Sequence, residues 1–269
     1  MVPRGAQAAA VSRGLGGRSM RGACLALALA LLSAGCATPP RPVEGPPAWA
    51  GRRVGAPPLP DPALRQAVVA RAIREWEFFG RQTVVFRGPE ESIPRVGAWE
   101  DDEGDFSARV NLYWRAVGRP GVDGMDCQQP WSAAFLSWVM QDAGVPDDEF
   151  PPAAAHGSYL AHILTGASEP GRFFVPRYVK DYSPVPGDLI CAYRGPAAPA
   201  AFGDVVRPDA FRGTNTHCDL VVAKGGQILE AIGGNVRNSV SKSVLELDAA
   251  GLLEGVPRRS WFLILQNRL

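Results

Sequence analysis

Pro130-Trp131-Ser132-Ala133-Ala134-Phe135-Leu136-Ser137-Trp138-Val139-Met140 is the stretch on which the reading of this chain turns. It is apolar almost all round, so as a helix it keeps no face for water and must lie buried. Pro130 suits a first helical turn, where a missing N–H costs nothing. Gly144 and Pro146 stop the helix, the first by entering the left-handed region and the second by lacking a donor.

Working outward, Asp61-Pro62 is a helix start, with Asp as N-cap and Pro at the first helical position. Leu64, Val68, Ala72, Trp76 and Phe79 recur at helical spacing behind it. The reading leaves Arg65, Arg71, Arg74 and Glu75 on the exposed face and ends the helix at Gly80. Thr83 to Phe86 is a short strand, Gly88 to Asp105 is acidic and irregular, and a helix covers Ala108 to Val117 with Val110, Tyr113, Trp114 and Val117 inward. On the other side a helix spans Ala153 to Leu164, with His156, Tyr159 and Leu160 along one side.

The period then changes from helical to strand-like. Pro186-Gly187-Asp188 is a turn, in which Asp188 satisfies backbone N–H groups, and it leads into a strand ending at Tyr193. Thr216 to Ala223 is a second strand, Lys224-Gly225-Gly226 a hairpin turn into Gln227 to Ile232, and Trp261 to Leu265 a terminal strand. Helices first and antiparallel strands afterwards make the class α+β. No internal repeat is visible.

The N-terminus reads as an address. Arg13, Arg18 and Arg21 precede the apolar run from Ala23 to Leu32, about as long as a signal-peptide core, and no apolar run after residue 40 approaches the ~20 residues needed to span a bilayer. Leu32-Ser33-Ala34-Gly35-Cys36 is similar to a lipobox, whose cysteine is lipidated and becomes the mature N-terminus. An ordinary cleaved signal with an incidental Cys36 is the plainer alternative, and Met20 is an alternative start. The expected organisation is a lipoprotein signal peptide over 1–36, a Pro-rich tether over 37–60 and one domain over 61–269. Ala37 is not the Asp that retains enterobacterial lipoproteins at the inner membrane. The expected location is therefore the cell envelope, lipid-anchored, on the periplasmic face of the outer membrane. With 28 Lys plus Arg against 27 Asp plus Glu the net charge is +1, which gives no electrostatic ground for a nucleic-acid partner.

A buried helix with a nucleophile position at its start, then Pro-Gly-Asp-Leu, then a strand opening with His, resembles the papain-like cell-wall amidases and peptidases of the CHAP type. Ser132-Ala133-Ala134-Phe135-Leu136-Ser137-Trp138-Val139 resembles the nucleophile helix of that family, with Ser in place of Cys. His217, in His217-Cys218-Asp219-Leu220-Val221-Val222, falls at the position of the family's histidine. Glu230-Ala231-Ile232-Gly233-Gly234-Asn235 resembles the segment that carries the orienting residue. The whole set also resembles an uncharacterised bacterial family, domain of unknown function 2272, over most of residues 65 to 268. The fold this implies is a papain-like CHAP-type one, with N-terminal helices packed on a small antiparallel sheet.

The resemblance implies a catalytic set of Ser132, His217 and Asn235, in a cleft lined by Trp131, His156 and Asp219. At a helix N-terminus the dipole favours an anionic nucleophile and a developing oxyanion. His217 would act as base and Asn235 would hold its tautomer. Unlike a thiol, a serine hydroxyl must lose its proton to the base during attack. Two readings follow: a lipid-anchored hydrolase of amide bonds in peptidoglycan or its stem peptides, or a catalytically silent module binding cell-wall fragments or a protein partner. A serine-dependent esterase is a third. Each residue also has a structural reading: Ser132 as a small residue at a tight helix start, His217 as a structural donor, Asn235 as a left-handed turn residue after two glycines.

Cys191 and Cys218 lie on strands that pair in the implied fold, where a disulfide and two buried thiols are both open. Cys127, five residues before Ser132, is a rival nucleophile. No Cys or His pair has metal-ligand spacing and no glycine-rich phosphate loop appears, so neither metal nor cofactor is expected.

Overall fold

The computed structural model describes residues 55–102, 104–194, 211, 214–256 and 258–269. The signal segment, Cys36 and the tether up to residue 54 lie outside them. Four helices and an eight-stranded sheet form a mixed α+β body.

Helix α1, Pro62–Phe78, starts as its sequence dictates: the Asp61 side chain accepts from the Leu64 N–H at 3.0 Å, and Pro62 occupies the first turn. Val68 and Ala72 are buried, but so is Glu75, which the periodicity places outside. Its carboxylate accepts from Arg109 Nε at 2.7 Å and from the Tyr113 hydroxyl at 2.6 Å. A buried carboxylate is tolerable only when paired and hydrogen-bonded in this way.

Strand β1, Thr83–Arg87, forms where expected and turns back into β2, Glu90–Arg95, inside the stretch read as irregular. Helix α2 covers Phe106–Ala116. Helix α3, Ser132–Ala143, is buried along most of its length and ends on Gly144 at φ 95°. It packs on α1 and α2 and on the middle of the sheet. Its fully buried Phe135, Leu136, Val139 and Met140 each contribute about 1.5–3 kcal/mol of burial. Helix α4 spans His156–Gly166.

The remaining strands are β3 Phe174–Arg177, β4 Leu189–Arg194, β5 Thr216–Gly225, β6 Ile228–Val236, β7 Ser239–Glu246 and β8 Arg259–Asn267. Their order across the sheet is β2-β1-β7-β6-β5-β4-β8-β3, antiparallel throughout except for the parallel pair β1 and β7. The sheet is thus larger than the small one expected, and three of its strands, β2, β3 and β7, were not read from the sequence.

Asp188 does hold a turn together. It accepts from the Val185 and Asn267 N–H groups, both at 2.8 Å. The two cysteines left open face each other directly in the register of β4 and β5 and are joined as a Cys191–Cys218 disulfide, with Cα atoms 4.1 Å apart. Alternation along β5 sends Cys218 and Leu220 into the core shared with the helices and Val221 into a second core on the other face of the sheet.

Candidate functional site

Two helices begin at one cleft of about 820 Å³. Ser132 opens α3 and His156 opens α4, and both line the cleft with Ala133, Arg194, Phe211 and Thr216. Ser132 Oγ lies 2.6 Å from His156 Nε2. The other ring nitrogen, Nδ1, is hydrogen-bonded to the Tyr159 hydroxyl one turn along the same helix. Burial, reinforced by the charges of His217 and Arg194, pushes the His156 imidazole well below its ordinary value, so the ring is neutral at pH 7. Burial likewise holds the Tyr159 hydroxyl protonated. A neutral imidazole with one lone pair beside a hydroxyl is a base poised on a nucleophile.

No side chain caps the N-terminus of α3. The backbone N–H groups of Ser132 and Ala133 therefore stand at the cleft without a capping acceptor, in the positive end of the helix dipole.

A second polar chain lies next to the first. The rings of His156 and His217 meet edge to face, centroids 5.3 Å apart. His217 Nε2 lies 2.6 Å from Asp219 Oδ1, and Asp219 Oδ2 accepts from Arg259 Nη1 at 2.6 Å. Burial alone would raise the Asp219 carboxyl, but His217 and Arg259 outweigh it and keep it ionised below the usual carboxylate range. Burial lowers His217 to about 4 against the pull of Asp219, so at pH 7 it is neutral and donates through Nε2–H. Its Nδ1 lone pair is buried with no partner among the described residues, as is the Thr216 hydroxyl at the cleft wall.

Glycine makes this possible. A Cβ on Gly233 of β6 would sit 1.8 Å from Asp219 Oδ1, and one on Gly234 would sit 2.5 Å from Phe135 Cβ in α3. The Gly-Gly pair is thus the space into which Asp219 and helix α3 fit.

The residues singled out in the sequence are distributed as follows. Ser132, His156, His217 and Asp219 come together. Asn235 does not join them. Its backbone is left-handed at φ 53°, and its side-chain amide donates to Glu100 Oε2 at 3.0 Å. The group on His217 is instead Asp219, two residues along the same strand. Trp131 is not a cleft wall but part of the aromatic core, stacked between Phe79 and Tyr113, with its indole N–H on Glu100. Asp219 is likewise fully buried behind His217. Cys127 is exposed, its thiol near Asp101 and the backbone of its own loop. Among the described residues no three His, Cys, Asp or Glu side chains gather as a metal set. The contact that the sequence did not give is Ser132 to His156; its one trace is that His156 precedes Tyr159 by three residues at a helix start.

Residues 100–267 match the family described as "Uncharacterized protein conserved in bacteria (DUF2272)". The chain belongs to this family. The DUF2272 segment takes in Ser132, His156, His217, Asp219 and Arg259, and it leaves out α1, β1 and β2. No curated protein and no solved structure matches the chain.

Proposed function

We propose that this DUF2272 protein is a serine-dependent hydrolase of amide bonds, acting on peptidoglycan or its stem peptides on a papain-like, CHAP-type body. The observation that carries the proposal is the 2.6 Å contact between Ser132 Oγ and His156 Nε2 at an uncapped helix N-terminus on a cleft. With Nδ1–H of His156 donated to Tyr159, the Nε2 lone pair accepts the Ser132 proton as Oγ attacks the substrate carbonyl. The oxyanion forms against the N–H groups that open α3. His156 then returns the proton to the departing amine, and water releases the acyl group from Ser132 by the same steps in reverse. His217, fixed by Asp219 and Arg259, packs against His156 and keeps its ring in register.

The choice of substrate rests on the resemblance of the Ser132 helix, the Pro-Gly-Asp-Leu turn and the His217 strand to cell-wall hydrolases, an argument by analogy of fold. The lipid anchor at Cys36 and the periplasmic location rest on the N-terminal sequence. The Cys191–Cys218 disulfide supports an oxidising compartment.

The test is digestion of purified peptidoglycan sacculi by the full chain, read by mass spectrometry, beside Ser132→Ala, Ser132→Cys and His156→Ala. New muropeptides from the wild type, lost in Ser132→Ala and His156→Ala, support the proposal and identify the bond. Products from Ser132→Cys alone would make the native chain a silent module that binds cell-wall fragments.

A further inference from the structure

A second cleft of about 700 Å³ adjoins the first, and Arg194 lines both. Four guanidinium groups face it, from Arg194, Arg237, Arg258 and Arg259, against the single carboxylate of Glu91. Two are already neutralised: Arg237 donates from Nε to Glu91 at 2.9 Å, and Arg259 to Asp219 at 2.6 Å. Arg258 has no hydrogen bond or ion pair among the described residues, and the described bond of Arg194 goes to an uncharged acceptor, the Asn235 carbonyl, at 3.3 Å. The cleft therefore holds positive charge that no described carboxylate balances.

The same cleft is lined by apolar side chains open to water. Trp99, Val96 and Ile93 are 49%, 63% and 38% exposed, three of the eight large hydrophobic side chains left exposed in the described body. The cleft also gathers most of the left-handed non-glycine backbone among the described residues. Asn235, Arg237, Asn238 and Arg258 all have φ between 53° and 64°, four of the five left-handed non-glycine residues described, and all four line this cleft. Arg237 and Asn238 take this conformation as the two central residues of the tight turn between the paired Val236 and Ser239, which carries the Arg237 side chain to the cleft. Guanidinium forks bind carboxylates in two-point fashion, and an indole face suits an apolar or ring-bearing segment.

We propose that this cleft is a subsite for an acidic peptide: Arg258 and Arg194 bind its carboxylates and Trp99 covers its apolar portion, while the chain runs past Arg194 to place an amide bond at Ser132. The inference rests on the reading of the Ser132 cleft as a site of amide hydrolysis and specifies the charge of what enters it.

The experiment measures binding of a fluorescent tetraglutamate peptide to the full Ser132→Ala chain at 0.15 M salt by anisotropy, with tetraglutamine as the neutral control. Saturable binding at least tenfold tighter than tetraglutamine is expected, with a tenfold or greater loss in Arg258→Glu, whose exposed side chain is remote from the core. Equal affinity for the two peptides, or tetraglutamate binding unchanged by Arg258→Glu, overturns the subsite. Turnover plays no part in the readout, so the two readings fail separately. Hydrolysis of sacculi without Arg258-dependent binding overturns the subsite alone. Arg258-dependent binding in a chain that hydrolyses no sacculi supports the subsite and overturns the hydrolase reading.

Discussion

Ser132 Oγ and His156 Nε2 stand 2.6 Å apart, and that contact joins the first residue of α3 to the first residue of α4. Each helix brings one polar side chain to the same cleft wall. The strand behind them adds a separate pair, His217 and Asp219, whose ring packs on His156 rather than on the serine in the contacts that define the site.

The space left by Gly233 gives a prediction about that second pair. Gly233→Ala places a methyl 1.8 Å from the Asp219 carboxylate, which must move and release His217. If His217 holds His156 in register, hydrolysis falls by at least tenfold in kcat while the far-ultraviolet circular dichroism spectrum is retained. Unchanged kcat in a folded Gly233→Ala chain would remove the His217–Asp219 pair from the mechanism.

Acid should destabilise the protein through its histidines. The unfolded chain takes up protons on His156 and His217 near pH 6.5, whereas in the folded chain His156 titrates well below that and His217 at about 4. Stability is therefore complete above about pH 6.5 and is lost as pH falls toward 4, by about 2 kcal/mol at pH 5 for His217 alone. Asp188, raised to about 6 by burial, acts in the opposite sense: the folded chain keeps a proton that the unfolded chain releases, so it adds stability as pH falls below 6. Glu100, also raised by burial, acts in the same sense as Asp188, and the two histidines, His156 being lowered well below its ordinary range, outweigh the two carboxyls to leave a net loss. Tm measured at pH 7.5 and 5.0 should drop in the wild type and drop by less in the His156→Gln, His217→Gln double variant. An equal drop in both would contradict the assignment.

The disulfide closes a loop across a sequence separation of 27 residues between neighbouring strands. Restricting the unfolded chain to that loop stabilises the fold by about 3.5 kcal/mol. Cys191→Ala with Cys218→Ala should lower the unfolding free energy measured by denaturant titration by that amount, and reducing agent should do the same to the wild type but leave the double variant unchanged. A reductant-insensitive wild type would contradict a disulfide that contributes to stability.

Much of the fold was legible where local signals agree with tertiary burial. Asp61-Pro62 starts α1 and Gly144 ends α3 because caps act through the backbone within a few residues. The strands that escaped notice share a different cause. Strand β7 runs Ser239-Val240-Ser241-Lys242-Ser243, and its three serines are fully buried, so a polar-looking stretch lies in the interior. Strand β2 begins Glu90-Glu91-Ser92 at the sheet edge, where exposure permits charge, and β3 is four residues long with Pro176 at the opposite edge. Glu75 was misplaced because its partners, Arg109 and Tyr113, lie 34 and 38 residues away.

The site was legible in its residue types and not in its pairings. Ser132, His156, His217 and Asp219 were all singled out, yet which histidine meets the serine depends on how α4 docks beside α3, and no local pattern records that. Asn235 looked like an orienting residue from its place after Gly233-Gly234. The positive φ that those glycines lead into turns it to Glu100 instead, a buried carboxyl raised above its usual range by its burial.

The central claim is that Ser132 is a nucleophile activated by His156, and covalent labelling tests it most directly. The full chain is incubated with a fluorophosphonate, and its intact mass and tryptic peptides are then measured. A single phosphonyl adduct on Ser132 is predicted, absent in Ser132→Ala and slowed at least a hundredfold in His156→Ala. A wild-type chain that takes up no adduct at Ser132, or one labelled equally fast without His156, would contradict the account.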